Sequence, residues 1–411
     1  MHNPDHDVTT ETSAATAAGN IPVDIPARTA GATGATAGTT GAPAGVTPGA
    51  TAGATAEVTV GVTAGSPAEV TAGVTSGVTS GGSAGVTAGE VLTPYLQARA
   101  GDFLRALRLH AESGADTAGA EEAARALRSA ARRIGGTLHT FRPLLDTAWA
   151  DQLRTELAWL SGTLALEHAC TSRLVRLVDA LSRLSSGGGP VSAGPVPAAR
   201  GAASAGSPGL TVGAARAGAL LERQLTLART RAHSAALQAL GSSRFHAVAD
   251  AVALLASEVP LSPAGAAPAV NVLDAPAEAV ERRLLDAVAG LPLTRAAHPY
   301  NAEALALATG EAQDAPWHQT RLLLRLHRYA REVLHTPTTP DPVLYEAGRA
   351  LDRHRDAAEA AAAAATAART PRIAPATAYA LGVLHADQRH EVEAARFAFQ
   401  HAWQRATAGV P

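Results

Sequence analysis

The chain has 411 residues, a formal net charge of −2 and a single cysteine, Cys170. One cysteine excludes an intramolecular disulfide and a cluster of thiolate metal ligands. Every basic residue is arginine, whose guanidinium stays charged and can bind two phosphate or carboxylate oxygens at once. No run of about 18 apolar residues predicts a membrane span, and the N-terminal MHNPDHDVTTETS lacks the apolar segment of a secretory signal. We therefore expect a cytoplasmic protein without a membrane segment.

Residues 1–89 differ sharply in composition from the rest of the chain. They are mostly Ala, Gly, Thr, Val, Ser and Pro in short repeats such as AGVTAG, with one arginine and six acidic residues. Such a segment has too few large apolar side chains to offset the entropy lost on ordering. The composition predicts a disordered, low-complexity tail over 1–89. The remaining residues hold 33 arginines and 30 acidic residues, so the rest of the chain is slightly basic.

From Glu90 onward, apolar residues recur at the spacing of amphipathic helices, and no strand pattern is found. The predicted helices run from 90 to the Gly-Ala-Asp loop at 114–116, then over 119–142, 143 to about 184, 212–240, 244–257, 275–290, 314–336, 341–368 and 376–408. The Gly and Pro content of 185–209 predicts a flexible loop. We expect an all-α domain over 90–411, with halves of about 90–272 and 273–411, because helices of this length suit antiparallel bundles.

The stretch WHQTRLLLRLHRYARE at 317–332 is the strongest functional signal. At about 100° per residue, its basic side chains fall within an arc of about 80°: His318, Arg321, Arg325 and Arg328. A separate apolar arc holds Leu322, Leu326, Ala330 and Val333, while Leu324 lies outside it. The pattern predicts a helix that buries one side and presents a row of positive charge on the other.

The same spacing occurs 193 residues earlier, at Arg125, Arg128, Arg132 and Gly135. This repeat suggests two related halves, each contributing one basic helix. Two facing rows of arginine repel each other unless an anion lies between them, so the arrangement indicates a polyanion site. The adjacent Gly135 and Gly136 each cost about 1 kcal/mol in a helix interior, which favours a kink there.

Several segments, taken together and in this order, resemble the CHAD domain, the conserved histidine α-helical domain. They are TLHTFRPLLD, LRTELAWLSGTL, WHQTRLLLRLHRYARE, LDRHRD and YALGVLHA, and the resemblance covers about 90–410. It implies two four-helix bundles related by a pseudo-twofold axis around a basic cavity. It also implies binding of inorganic polyphosphate and association with polyphosphate granules.

The resemblance also implies which residues bind the anion. Those in the second half are His318, Arg321, Arg325, Arg328, Tyr329, His354 and His385. His354 is the histidine of a His-x-Asp element that ends at Asp356. Those in the first half are Arg128, Arg132, Arg133 and His233, together with Arg125, which stands where the family has a histidine. Gly135 replaces a basic residue and His168-Ala169 replaces an Arg-Asp pair, so the chain looks like a divergent member.

Each of these residues also has a structural interpretation. The arginines could form salt bridges between helices, and His354, His385 and His233 could make hydrogen bonds inside a bundle. The alternative function is therefore a structural or protein-interaction module that has lost the ligand and self-associates or binds a protein partner. A histidine at the site would instead strengthen anion binding as the pH falls.

Catalysis and nucleic-acid binding are less favoured. No P-loop or Gly-x-Ser-x-Gly sequence is present, and His385, Asp387 and His390 would point in different directions on a helix, which argues against a metal site. Few aromatic residues lie near the basic rows, although base stacking needs exposed ones. We expect a non-catalytic protein with no cofactor, whose ligand is inorganic polyphosphate or a similar polyanion.

Overall fold

The computed structural model of the chain describes residues 85–114, 116–186, 208–298, 311–335 and 341–408. Within these ranges the backbone is helical, and the only extended pairs are two isolated bridges, Thr87 with Pro268 and Leu145 with Leu261. The predicted all-α fold is confirmed. Most of the predicted tail (1–84) and of the predicted loop (187–207) lies outside the described residues.

The long helices of the described ranges follow the predicted ones closely. They are α1 (Ala88–Glu112), α2 (Thr117–Thr140), α3 (Thr147–Ser185), α4 (Pro208–Leu240), α5 (Ser243–Ser257), α6 (Asp274–Ala289), α7 (Ala315–Leu334), α8 (Pro342–Ala368) and α9 (Pro375–Ala408). Short helical turns at Ala269–Val272 and Leu293–Ala296 flank α6. None of the described helices is long and apolar enough to cross a bilayer.

Side-chain caps determine where several helices begin. Thr87 and Glu90 form a capping box, in which each side chain accepts a hydrogen bond from the backbone amide of the other. Helix α1 therefore begins at Ala88, slightly before the predicted boundary. Ser242 caps α5, because its Oγ accepts a hydrogen bond from the Phe245 amide.

The first apolar core lies among α1, α2, the first part of α3, and α5. Leu96, Phe103, Ile134 and Leu157 are almost completely buried in it. The C-terminal end of α7 also enters this core through Val333. The second-half helix that carries the basic row is thus anchored in the first half.

The second part of α3 and the N-terminal part of α4 pack against α8 and α9. Leu177, Leu221 and Leu384 share a core there with the alanine run of α8, which is buried as a helix interior. A third core joins α6, α7, the start of α8 and the end of α9. The two sequence halves therefore interlock, while their pseudo-twofold relation remains a prediction.

Candidate functional site

Helix α7 is buried over most of its circumference. Leu326, Ala330 and Val333 are buried, as predicted. The predicted apolar arc was nevertheless partly wrong, since Leu322 is 48% exposed and Leu324, placed outside the arc, is 1% exposed. The physical reason is that α7 packs against α2, α6 and α8, so it has buried faces on more than one side.

The basic row of α7 is confined between these buried faces. The side chains of Arg321 and Arg325 retain only 17% and 26% of their exposure. Burial lowers the pKa of both guanidiniums, and nearby arginines lower it further: Arg325 acts on Arg321, and Arg132 of α2 acts on Arg325. The row is therefore half-buried positive charge, in contrast to an ordinary solvated face.

Gly136 allows α2 and α7 to approach each other closely. A Cβ atom at this position would lie 2.6 Å from Cδ2 of Tyr329 and 3.2 Å from Cδ2 of Leu326. At Gly135 the nearest atom to such a Cβ would be Cγ of Arg154, at 4.0 Å. Helix α2 stays helical through both glycines, so the glycine that the packing requires is Gly136.

Three arginines of α2, Arg125, Arg128 and Arg132, have no carboxylate partner among the described residues. Arg128 is 8% exposed, and its Nε has no hydrogen-bond acceptor in the described part of the chain. Burial lowers the pKa of Arg128, followed by repulsion from Arg132, Arg125 and Arg355. Arg125 is exposed, and its Nε donates only to the backbone oxygen of Glu121, at 3.4 Å.

Helix α8 adds a further arginine, Arg355, that no sequence pattern indicated. Arg355 repels Arg128 of α2 and also Arg321 and Arg325 of α7, so it faces both rows. We call this set the basic cluster. It consists of Arg125, Arg128 and Arg132 of α2, Arg321 and Arg325 of α7, and Arg355 of α8. It also includes Arg328, which continues the row of α7 and whose guanidinium lies 6.0 Å from the centre of the Tyr345 ring.

Carboxylates of α8 neutralise part of the basic cluster. Asp352 lies 2.5 Å from Nη2 of Arg321 and 3.9 Å from Nη2 of Arg325. Asp356 and Glu359 lie 2.5 and 3.7 Å from guanidinium nitrogens of Arg355. Because of these carboxylates, the pKa of Arg355 is raised although burial opposes its charge.

Arg133 and Tyr329, both predicted site residues, hold α1, α2 and α7 together. Nε of Arg133 donates to Glu332 over 3.0 Å, and the Tyr95 hydroxyl donates to the same carboxylate oxygen over 2.9 Å. The Arg133 guanidinium also lies 5.6 Å from the centre of the Tyr329 ring, which is 7% exposed. These contacts favour a structural role for both residues.

Two predicted histidines make other contacts. Nδ1 of His233 on α4 lies 3.0 Å from Oε2 of Glu167 on α3. Nδ1 of His385 lies 3.0 Å from the Ala361 backbone oxygen, which joins α9 to α8. In the described part of the chain, no group of three or more His, Cys, Asp or Glu side chains could hold a metal ion.

His354 belongs to a buried ionic network at the start of α7 that no sequence pattern indicated. Asp314 accepts hydrogen bonds from Arg389, over 2.7 and 3.2 Å, and from Arg396, over 2.8 Å. His354 is 1% exposed and stacks on Trp317, with ring centres 5.6 Å apart. Burial lowers the pKa of His354 to about 4. The ring is therefore neutral at pH 7, and its Nε2 can accept a hydrogen bond from Arg396 at 3.3 Å.

His318 connects this network to the basic cluster. Its ring lies edge-on to His354, with centres 5.4 Å apart, and its side chain reaches an exposed position beside Arg321. Burial lowers the pKa of His318, Asp314 acts in the opposite direction, and Arg321 lowers it further. The imidazole is therefore neutral near pH 7, so the positive charge at this site comes from arginine.

Comparison with known proteins identifies a matching family and a similar solved structure. The sequence model of the CHAD domain matches residues 98–344, which include α2 and α7 but end near the start of α8. Among solved structures, PptA from Streptomyces chartreusis is similar, with 61% sequence identity and a TM-score of 0.64 over 78% of this chain and 100% of that chain. No curated protein sequence matches the chain.

Proposed function

Because the chain belongs to the CHAD family, a family of polyphosphate-binding proteins, we propose that it binds inorganic polyphosphate at the basic cluster. The supporting observation is the charge balance at the meeting of α2, α7 and α8. In the described part of the chain, Arg125, Arg128, Arg132 and Arg328 have no carboxylate within ion-pair distance. Like charges that are held close together in a partly buried site repel each other, so a bound polyanion stabilises them more than it would stabilise solvated charges.

The spacing of these arginines suits a chain of phosphates. Side chains three or four residues apart on a helix start about 5–6 Å from each other. A flexible polyanion lying along α2 and α7 would therefore contact several guanidiniums in succession, and each can bind two oxygens. The proposed ligand contacts come from Arg125, Arg128 and Arg132, with Arg325 and Arg328 opposite.

The proposed function is binding without catalysis. CHAD proteins are generally non-enzymatic, and the arginines and neutral histidines of the site can hold an anion but do not form an acid–base pair of catalytic type. Binding of long chains would also direct the protein to polyphosphate granules in the cytoplasm. Incubation with polyphosphate should release no orthophosphate, which a phosphate assay can measure.

The experiment that tests this function is a titration of the full chain with long-chain polyphosphate, RNA and orthophosphate at two salt concentrations. We expect the tightest binding to polyphosphate, with an affinity that falls steeply as salt is added, because each neutralised phosphate releases counterions. A chain that shows no binding to polyphosphate at low salt, or that prefers RNA, would contradict the proposal.

A further inference from the structure

Three carboxylates on α8 face the basic cluster from one side. At about 100° per residue, Asp352, Asp356 and Glu359 fall within an arc of about 60°. Each is paired with arginine: Asp352 with Arg321, Asp356 with Arg355, and Glu359 with Arg355 and also with Arg173 at 2.7 Å. A protein that binds anions thus places negative charge of its own against the site.

Asp352 differs from the other two carboxylates because it pairs with arginines of the basic row of α7. Its carboxylate accepts a hydrogen bond from Nε of Arg321 over 2.6 Å and lies 2.5 Å from Nη2 of the same side chain. Both nitrogens contact the same oxygen, Oδ1, so a carboxylate oxygen occupies the pair of N–H donors that could otherwise bind a phosphate oxygen. Asp352 remains 53% exposed while Arg321 and Arg325 retain 17% and 26%, so the carboxylate covers the solvent side of two half-buried cations.

We propose that Asp352 is an internal counter-anion that occupies the Arg321–Arg325 subsite in the free protein and makes the basic cluster prefer long polyanions to short phosphates. The inference rests on the proposed function, since it concerns the same site. In this state, four arginines remain open to a ligand without displacement of a carboxylate. These are Arg125, Arg128, Arg132 and Arg328.

The preference for long chains follows from competition with a tethered group. A short phosphate that enters the Arg321–Arg325 subsite must displace Asp352, which α8 holds there at a high effective concentration. A long polyphosphate contacts the open arginines at the same time, so its affinity depends less on this one subsite. Removing the Asp352 charge should therefore help short ligands more than long ones.

The test compares three proteins: the wild-type chain, Asp352→Asn, and Glu346→Gln as a matched control. Glu346 lies on the same helix and pairs with Arg405 at 2.5 Å, outside the basic cluster. We expect Asp352→Asn to bind tripolyphosphate roughly twofold to fivefold more tightly, the scale of an exposed ion pair. Its gain for long-chain polyphosphate should be smaller, and Glu346→Gln should bind as the wild type does.

The outcomes separate this inference from the proposed function. If the wild type binds long chains and Asp352→Asn binds tripolyphosphate no more tightly than the wild type does, the counter-anion role is overturned and the proposed function stands. An equal gain in Glu346→Gln also overturns it, since net charge would then suffice. If only Asp352→Asn binds polyphosphate and the other two proteins do not, the result supports the counter-anion role and contradicts polyphosphate binding by the natural chain. Failure of all three proteins to bind overturns both.

Discussion

At the scale of single residues, the carboxylate within reach of an arginine decides what that arginine can do. Arg133 is paired with Glu332 and joins helices, Arg321 is covered by Asp352, and Arg128 has no such partner in the described ranges. These partners lie 31 to 199 positions apart in the chain. The sequence pattern therefore identified the arginines, whereas their availability depends on tertiary contacts that periodicity does not contain.

Histidine chemistry at the site leads to a prediction about pH and stability. The pKa of His354 is about 4 in the folded protein and ordinarily 6.5, so the unfolded chain binds the extra proton more tightly. The stability from the neutral, buried ring is fully present above pH 6.5 and is lost as the pH falls toward 4. The loss should reach at most about 3 kcal/mol, at 1.36 kcal/mol per pKa unit.

Urea unfolding between pH 4.5 and 7.5 measures this effect. We expect the free energy of unfolding to rise with pH, and His354→Gln to flatten the rise because it removes the titrating group. Replacing the exposed His246 by Gln serves as the control and should leave the slope unchanged. A His354→Gln protein with the wild-type slope would show that another group is responsible.

At the scale of helices, local pattern was a reliable guide to where each helix lies and a poor guide to how α7 is oriented. The apolar spacing predicted every long helix in the described ranges. The exposed Leu322 and the buried Leu324 were misplaced because one apolar arc describes a surface helix, and α7 is surrounded by neighbours. The two glycines of α2 look alike in the sequence, yet only at Gly136 would a Cβ atom lie closer than 4.0 Å to a neighbouring helix.

These two glycines form a matched pair for mutation. Gly136→Ala places a methyl group 2.6 Å from the buried Tyr329 ring and should destabilise the protein by about 1–3 kcal/mol through overpacking. Gly135→Ala meets no atom closer than 4.0 Å and should stabilise it by about 0.5–1 kcal/mol through helix propensity. Chemical denaturation of both variants measures the difference, and equal effects would contradict the close crossing of α2 and α7.

At the scale of the whole molecule, the fold brings together arginines from positions 125 to 355 that no local signal connects. Helices α2 and α7, which carry the repeat at a 193-residue offset, pack against each other, while the relation between the two halves stays a prediction. Arg355, Asp352 and the Asp314 network were missed, although Asp352, Asp356 and Glu359 recur at helical spacing in the printed sequence. That spacing marks a shared face of α8, but only the packing of α8 beside α7 shows that the face adjoins the basic cluster.

The most direct test of polyphosphate binding at the basic cluster compares two double variants in their affinity for long-chain polyphosphate. The first carries Arg128→Ala and Arg132→Ala, and the second carries Arg216→Ala and Arg223→Ala. The second pair removes the same charge from exposed positions of α4. Loss of the first pair should weaken binding by about tenfold or more, at roughly 1.5–3 kcal/mol per charged hydrogen bond, and should reduce the salt dependence. The α4 pair should bind nearly as the wild type does. Equal losses in the two double variants would show that general charge, and not the basic cluster, holds the ligand.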